Sequence, residues 1–272
     1  MTVSMFAASD FCQRWESKKS SWRHTSEGGF DRRLYEVAPI APELAEAFLV
    51  QHHYLASMPS EKWVYGLLRG QALQGVAVLS NPTNKHTLLG MFPDLAPYHE
   101  STELGRFCLL DAVPANAETW FLGQVWRQVA REGVRGVISF SDPVERTMAN
   151  GTIAHVGHYG AIYQAANAVY TGKSRKDTFK LLPNGLILSR DSLNKFRDGK
   201  GAHYVEPQLL KQGAAPRRPS ETPTEWTDRV LPAITRPLAH SGNHRYAFRI
   251  GKNAASVRIA RASGAYPKGL AA

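Results

Sequence analysis

The stretch GRFCLLDAVPANAETWFLGQVWRQVAREGVRGVISFSD, residues 105–142, decides the fold class. Its two ends are apolar runs that predict strands over 105–113 and 134–142. Between them, 114–133 has apolar residues at helical spacing, a proline in the first turn and a glycine at the end, which predicts a helix. A strand-helix-strand unit of this kind predicts two parallel, buried strands, with the helix crossing the sheet in the right-handed sense.

Strands and helices alternate on both sides of this unit. The sequence predicts a strand at 34–40, a helix at 42–54, a hairpin of 62–70 with 72–82, a helix from Tyr159 to Ala168, and strands at 178–183 and 185–190. We therefore expect an α/β fold in which helices flank a mixed central sheet.

Composition limits the class of protein. The chain has 272 residues, of which 43% are hydrophobic, enough to bury a full core. Its first residues lack the pattern of a signal peptide, and no apolar run approaches the ~18 residues of a membrane span. Two cysteines, Cys12 and Cys108, are too few for a disulfide framework. These features predict a soluble, cytoplasmic protein with reduced thiols and no membrane partner.

Positive charge is concentrated in the last hundred residues. Residues 1–172 contain 14 Lys and Arg against 16 Asp and Glu, whereas residues 173–272 contain 19 against 7. A basic surface of this kind is typical of a protein that meets a polyanion, and nucleic acid is the commonest partner of this kind. The alternative is a basic surface that serves only solubility. For the phosphate contacts we expect Arg217, Arg218, Arg245, Arg249 and Arg258.

The same change in composition predicts the domain boundaries. We expect an N-terminal extension over 1–30, a catalytic or structural core over 31–190 and a basic C-terminal extension over 191–272. Within the extension, the Pro/Ser/Thr-rich stretch 212–225 is typical of a linker. The sequence of the extension also predicts a helix whose N-cap is Thr224 or Asp228, and a strand at 245–250. The oligomeric state stays open, with a homodimer as one option.

Five motifs, taken in order, resemble one known family. They are HHYLASMP (52–59), LGRFCLLDAVPANAETWFLG (104–123), SFSDP (139–143), GHYGAIYQAANAVYTG (157–172) and AYPKG (265–269). The order of strands and helices is that of the GNAT acyltransferase fold, and the motifs resemble the Mom family of phage DNA-modification proteins. The resemblance implies a GNAT-like core that transfers a methylcarbamoyl group to the N6 amine of adenine in DNA and so protects the DNA from restriction.

The resemblance also implies roles for single residues. Carried over by position, it places six residues in a donor and substrate pocket: His53, Tyr54, Arg106, Thr119, Asp142 and Tyr163. Of these we expect Asp142, Tyr54 and Tyr163 to be catalytic, Arg106 and Thr119 to bind the donor, and His53 to bind the substrate.

The chemistry of adenine supports a role for Asp142. The N6 amine is a poor nucleophile because its lone pair is delocalised into the ring, so a catalyst must accept an N6 proton as the new bond forms. Asp142 follows a predicted parallel strand, at the end where α/β sheets present functional side chains. It can act there as a general base or as an orienting partner. The alternative is a turn cap, since Asp-Pro commonly begins a turn.

Access to N6 requires a flipped base, held by stacking and by hydrogen bonds to its edge. Tyr54 and Tyr163 supply rings, and Gln164 and Asn167 supply amides of the kind that pair with adenine. For the two amides, a solvated or helix-capping position is an equally good interpretation. The segment 143–156, just before this helix, is interpreted as a lid or a DNA-contacting arm.

The donor is less well defined by the sequence. The helix start at 114–119 has no glycine and carries Glu118, which disfavours binding of a pyrophosphate there. Arg106 and Thr119 can hold another anionic or carbonyl group. Acetyl-CoA or another acyl donor therefore remains open as the cofactor.

A metal site is not specified by any spacing of histidines. The four candidates are His52, His53, His155 and His158, which are more typical of stacking or phosphate contacts. Two other functions stay open. One is a GNAT-like N-acyltransferase that acts on another amine, such as a hypermodified pyrimidine or a small metabolite. The other is a DNA-binding relative without catalysis.

Overall fold

The computed structural model describes residues 11–55 and 57–267 of the chain. Within them the chain forms fourteen strands: β1 (Phe11–Glu16), β2 (Lys19–His24), β3 (Glu36–Pro39), β4 (Glu61–Arg69), β5 (Ala72–Ser80), β6 (Ser101–Leu109), β7 (Gly136–Ser141), β8 (Arg146–Thr147), β9 (Ile153–His155), β10 (Val169–Lys173), β11 (Asp177–Leu181), β12 (Ile187–Leu188), β13 (Arg236–His240) and β14 (His244–Arg249). These residues also form seven α-helices: α1 (Pro42–His52), α2 (His86–Leu89), α3 (Ala117–Arg131), α4 (Ala161–Ala165), α5 (Arg190–Arg197), α6 (Val205–Lys211) and α7 (Pro223–Ile234). Among the described residues, no helix has the length and apolar character needed to cross a bilayer.

A seven-stranded sheet has the order β10-β14-β7-β6-β5-β4-β3. Its neighbouring strands are antiparallel except for β6 and β7, which are parallel and are connected by α3. The predicted strand-helix-strand unit is therefore confirmed, as is the α/β fold with a mixed central sheet. Strand β6 begins at Ser101, four residues before the predicted start at Gly105.

Helices α1 and α3 cover opposite faces of this sheet. Alternate residues of a strand point to opposite faces, and β5 shows the division. Ala77 and Leu79 join the apolar core that contains α3, whereas Val76 and Val78 join the core that contains α1. Both faces of the central strands are thus buried, as expected for strands that read as continuous apolar runs.

The two parallel strands separate soon after they begin. They pair at three positions only, Ser101 with Gly136, Thr102 with Val137 and Glu103 with Ile138. Both strands then continue, β6 to Leu109 and β7 to Ser141. We call the opening between residues 104–109 of β6 and 139–141 of β7 the notch. It places side chains of both strands around one space at the carboxyl end of the parallel pair.

The chain divides into two compact units. The first contains Met1–Pro143, His158–Ser174 and Asn243–Ala272, and the second contains Val144–Gly157 and Arg175–Gly242. These boundaries differ from the expected core over 31–190 and extension over 191–272. The difference arises because β14 belongs to the expected extension and yet pairs with β7 in the central sheet.

The second unit has its own sheets and its own core. Strands β12, β11 and β13 form an antiparallel sheet, and β8 and β9 form a hairpin within the expected loop 143–156. Helices α5, α6 and α7 contribute to a core around Trp226, which is fully buried. The indole Nε1 of Trp226 donates a hydrogen bond of 2.8 Å to the carbonyl of Ala215.

The expected linker at 212–225 lies inside this second unit and is held by hydrogen bonds. Arg229 Nη2 donates to the carbonyl of Pro216 at 3.0 Å. Thr222 caps α7 and exchanges hydrogen bonds with Glu225, so the helix begins before the predicted caps, Thr224 and Asp228. Composition suggested a linker because proline and threonine are frequent both in linkers and at helix starts.

An N-terminal hairpin precedes the sheet where the sequence predicted only an extension. Strands β1 and β2 pair over residues 11–24, and β1 contacts α1, α4 and β6. Arg14 and Trp15 of β1 are buried. Residues 1–10 of the expected extension lie outside the described residues.

Candidate active site

A β-bulge shapes the β6 side of the notch. Val78 of β5 pairs with Arg106, but the next residue, Leu79, pairs with Leu104, so Gly105 is one extra residue in β6. A Cβ atom at Gly105 would collide with the side-chain hydroxyl of Ser80, which explains the glycine. Residues three apart normally face opposite sides of a strand. The bulge instead brings residues 103 and 106 to the same face.

Arg106 is tied to the loop after α1. Its Nε donates to the carbonyl of Ser57 and its Nη2 to the Ser57 hydroxyl, both at 3.1 Å, and its Nη1 donates to the carbonyl of Gly105 at 2.7 Å. Burial lowers the pKa of Arg106, and its interactions with Tyr54, Glu103 and Tyr163 oppose that shift. These four residues, Tyr54, Glu103, Arg106 and Tyr163, are called the Arg106 cluster below.

Glu103 is a member of this cluster that the sequence reasoning missed. It is half-buried in β6, and burial raises the pKa of its carboxyl to about 7, with Arg106 acting in the opposite direction. The carboxyl can therefore gain or lose a proton near neutral pH. The prediction missed it because the expected strand began at Gly105. A glycine inside a strand is a signal for a bulge, and it points to Glu103 and Arg106 as a pair.

Tyr163 lines the cluster from α4. It is 8% exposed and packs its ring against Tyr246 and Phe248, at centroid distances of 5.3 Å and 6.1 Å. Burial raises the pKa of its phenol, and a hydrogen bond with Ser139 of β7 opposes that shift. Tyr163 is thus both a core residue and a neighbour of Arg106.

His53 and Tyr54 follow α1 and form an aromatic stack with Trp15 of the N-terminal hairpin. The ring centroid of Tyr54 lies 5.0 Å from that of Trp15 and 4.4 Å from that of His53. His53 is buried, and its Nδ1 accepts a hydrogen bond of 3.2 Å from the backbone N–H of Leu55. The stack holds the turn that presents Tyr54 to Arg106.

Asp142 lies one residue beyond β7, at the carboxyl end of the parallel strand, as the sequence predicts. It is half-buried, and its carbonyl accepts a hydrogen bond of 2.8 Å from the backbone N–H of His158. This bond joins the end of β7 to the start of the segment that carries Tyr163. Asp142 and the Arg106 cluster are therefore contributed by adjacent elements of one unit.

Gln164 holds the turn before α4. Its side-chain nitrogen donates to the carbonyl of Tyr159 at 2.9 Å and to the hydroxyl of Tyr246 at 3.2 Å, and the Tyr246 hydroxyl donates to that same Tyr159 carbonyl. Gly160 in this turn has φ of +70°, and a Cβ atom there would meet the Tyr246 ring. The amide of Gln164 thus serves the turn, which differs from the expected contact with a base.

Asn167 lies two residues beyond the end of α4 and apart from the buried cluster. It is exposed, has a left-handed φ of +59°, and its backbone N–H donates to the carbonyl of Gln164 at 3.0 Å. Asparagine tolerates this conformation well. Of the two interpretations open from sequence, the structure favours the helix-capping one.

His244 is a buried neutral histidine beside this segment. Its Nδ1 lies 2.9 Å from the hydroxyl of Tyr170, and its ring contacts Tyr159. Burial, with Lys173 and His158 nearby, lowers the pKa of His244 to about 4. The rings of the segment 157–172 thus belong to a packed network around β14. The sequence pattern alone does not distinguish such packed rings from rings that bind a ligand.

The start of α3 is closed by the chain's own side chains. Arg14 forms a buried ion pair with Glu118, and it also donates to the carbonyls of Val113 and Pro114 at 3.2 Å and 2.9 Å. Asn116 donates to the carbonyl of Thr25 at 3.0 Å. The N-terminal hairpin is therefore fastened over the first turn of this helix.

The closed start of α3 affects whether acetyl-CoA can bind there as the donor. A pyrophosphate at a helix start needs free backbone N–H groups and no competing negative charge. Here the carboxylate of Glu118 is buried in the first turn, beneath Arg14. The residues at the start of α3 do not fit a pyrophosphate. Thr119, expected in the donor pocket, is exposed on this turn and donates to the carbonyl of Asn116 at 3.4 Å.

The structure thus brings together Tyr54, Arg106 and Tyr163 of the expected residues and adds Glu103. Thr119, Gln164 and Asn167 lie in other settings. In the described part of the chain, no three His, Cys, Asp or Glu side chains gather in a way that could hold a metal ion.

Comparison with known proteins gives one family match and several partial structural likenesses. The model of the Mom protein family matches residues 34–268. No curated protein matches the chain at a significant level.

Among solved structures, the chain is similar to a tandem GNAT protein from the clavulanic acid biosynthesis pathway, with 9% identity, a TM-score of 0.36, and coverage of 66% of this chain and 64% of that one. A GNAT family acetyltransferase from Elizabethkingia anophelis shows 12% identity and a TM-score of 0.32, and the similarity covers 80% of this chain and 99% of that one. The IAA acetyltransferase from Bacillus cereus ATCC 14579 shows 13% identity and a TM-score of 0.31, and the similarity covers 56% of this chain and 92% of that one. At these levels the similarity assigns neither an activity nor a ligand to the chain.

Proposed function

Because the chain belongs to the Mom protein family, we propose that it is a transferase that modifies DNA, placing an acyl-derived, methylcarbamoyl-like group on the N6 amine of adenine. The observation that carries the proposal is the Arg106 cluster beside the notch. Two phenols, a carboxyl and a guanidinium interact there at the carboxyl end of two parallel strands, where sheets of this kind bind ligands.

The acceptor in this proposal is an adenine flipped out of double-stranded DNA. Enzymes that act on a base inside a duplex extrude it and hold it by stacking and by edge contacts. Tyr54 offers a partly exposed ring, and Asp142 offers a carboxylate that can accept an N6–H hydrogen bond. We assign the base to the space between these two side chains.

The donor group is proposed to meet Arg106. A guanidinium can hold a carbonyl or anionic oxygen, and Arg106 is fixed by Ser57 and Gly105. Since the start of α3 does not fit a pyrophosphate, no step is assigned to coenzyme A. The donor is described only as an activated acyl or carbamoyl compound.

Mass spectrometry of nucleosides tests the proposal in cells that express the full chain, because the cell supplies the donor. DNA from cells with the wild-type protein should contain a mass-shifted deoxyadenosine. The variant Asp142→Asn should lower the modified fraction at least ~10-fold, the range expected when a hydrogen bond from the N6 amine to a charged carboxylate is removed. The matched control is Asp198→Asn, at an exposed aspartate of the second unit, which should leave the fraction unchanged.

Unmodified adenine with the wild-type protein would contradict the proposal. A mass shift on another nucleoside would instead support an N-acyltransferase that acts on a different amine of DNA.

A further inference from the structure

Glu103 occupies the base of the notch. It is the last residue of β6 that pairs with β7, opposite Ile138, and the two strands separate immediately beyond it. The bulge at Gly105 turns Glu103 to the face on which Arg106 lies. A carboxyl in this position points to chemistry in the notch, because a buried strand of an apolar core has no structural need for one.

The carboxyl of Glu103 is not used to hold the fold. Within residues 11–55 and 57–267, no hydrogen bond or ion pair engages it, whereas Arg106 directs its hydrogen bonds to Ser57 and Gly105. The groups that act on it electrostatically are Arg106 on the same strand and Tyr163 on α4. An unengaged, half-buried carboxyl can accept a proton from a ligand without breaking a structural contact.

Its proton affinity suits that role. Burial raises the pKa of the carboxyl to about 7, and the positive charge of Arg106 limits the rise. A base works best when its pKa lies near the working pH, since it is then ionised in part and still holds a transferred proton well.

We propose that Glu103 is the residue that accepts the proton from the acceptor amine, and that Asp142 orients this amine. The inference rests on the proposed function. As the N6 nitrogen bonds to the carbonyl carbon of the donor, an N6–H bond breaks and its proton moves to Glu103. The bond between that carbonyl carbon and the leaving group of the acyl or carbamoyl donor breaks, and the leaving group departs with the electron pair. Glu103 then releases the proton to the leaving group or to water.

The first arm of the test compares four full-length proteins in cells by nucleoside mass spectrometry: wild type, Glu103→Gln, Glu103→Asp and Glu61→Gln. Glu61 is an exposed residue of β4 and serves as the matched control. Glu103→Gln should lower the modified fraction at least ~100-fold, the usual effect of removing a general base. Glu103→Asp should retain part of the activity because it keeps a carboxylate, and Glu61→Gln should match the wild type.

The second arm needs no donor. In the purified protein with ¹³C-labelled glutamate, one side-chain carboxyl resonance should titrate with a midpoint near 7 and be absent from Glu103→Gln. Circular dichroism and binding of a duplex oligonucleotide should be unchanged in that variant, which separates a defect in chemistry from a defect in folding.

The outcomes separate the two proposals. If the wild type leaves adenine unmodified, the proposed function fails and the role of Glu103 falls with it. If the wild type modifies adenine and Glu103→Gln does so within twofold, the role of Glu103 alone is overturned. A carboxyl midpoint near its ordinary value of 4.5 would overturn that role as well.

Discussion

At the scale of single residues, the sequence indicates which side chains carry reactive groups better than it indicates where those side chains lie in the fold. The resemblance to the Mom family implied a common pocket for Arg106 and Tyr163, and the two side chains interact in one cluster. Gln164 was assigned to a substrate, yet its amide supports a turn. Glu103 was missed because the start of its strand could not be fixed from an apolar run. Whether a polar side chain is used by the fold depends on partners far away in the chain, and no local pattern reports them.

The buried histidine His244 makes the stability of the folded protein depend on pH. Its folded-state pKa of about 4 lies below the unfolded value of 6.5. The stability that this neutral ring contributes is therefore present above pH ~6.5 and is lost as the pH falls through 4, with a total loss of about 3 kcal/mol. We expect His244→Asn to unfold with a shallower pH dependence between pH 6.5 and 4. Urea unfolding at several pH values measures this.

The control is His99→Asn, at an exposed histidine, which should keep the wild-type pH dependence. An unchanged slope in His244→Asn would show that another group causes the acid sensitivity.

At the scale of elements, the strand-helix-strand unit and the hairpin of β4 with β5 were predictable from periodicity. Strand β14 was predicted as a strand, but its place between β7 and β10 was not, because the second unit is inserted ahead of it in sequence. The β1–β2 hairpin was not predicted, since polar and charged residues interrupt its apolar pattern.

The buried pair of Arg14 with Glu118 fastens this hairpin to α3. We expect Arg14→Met to destabilise the protein by ~3–5 kcal/mol, because it leaves the Glu118 carboxylate buried without its partner. Adding Glu118→Leu should restore at least half of that loss, since the double variant buries no charge. Urea unfolding of the four proteins in this double-mutant cycle provides the measurement.

The exposed pair of Arg33 with Asp31 serves as the control, and removing it should cost less than ~1 kcal/mol. If the effects of Arg14→Met and Glu118→Leu on the free energy of unfolding were additive, this would contradict the expected coupling between Arg14 and Glu118.

At the scale of the whole molecule, the excess of positive charge is divided equally between the two units. The first contains 20 Lys and Arg against 15 Asp and Glu, and the second contains 13 against 8. Some of the arginines expected to contact phosphates also serve the fold, as Arg258 pairs with Asp94 and Arg249 donates to the carbonyl of Val257. A truncation near residue 210 would remove β14, so it would test folding and not DNA binding.

Exposed cations of the second unit give a cleaner test of DNA binding. Arg175, Lys176 and Lys180 lie within six residues and are all exposed. Replacing the three with Gln should weaken binding to duplex DNA and reduce the salt slope of log K by up to ~0.9 for each phosphate that the variant no longer neutralises. Fluorescence anisotropy of a labelled duplex at several salt concentrations measures this. Replacing Lys18, Lys19 and Lys85 is the control, and equal slopes in the two variants would contradict the expectation.

The late position of β14 in the chain has a consequence for biosynthesis. Until the ribosome has translated residues 144–242, the nascent sheet lacks β14, and the edge of β7 that leads to Asp142 is unpaired. An open strand edge next to an apolar core is a template for aggregation. Slower translation of this part of the chain should therefore lower the yield of folded protein, and bound chaperones should raise it. An unfinished polypeptide would present Asp142 on a strand that is not yet held in place.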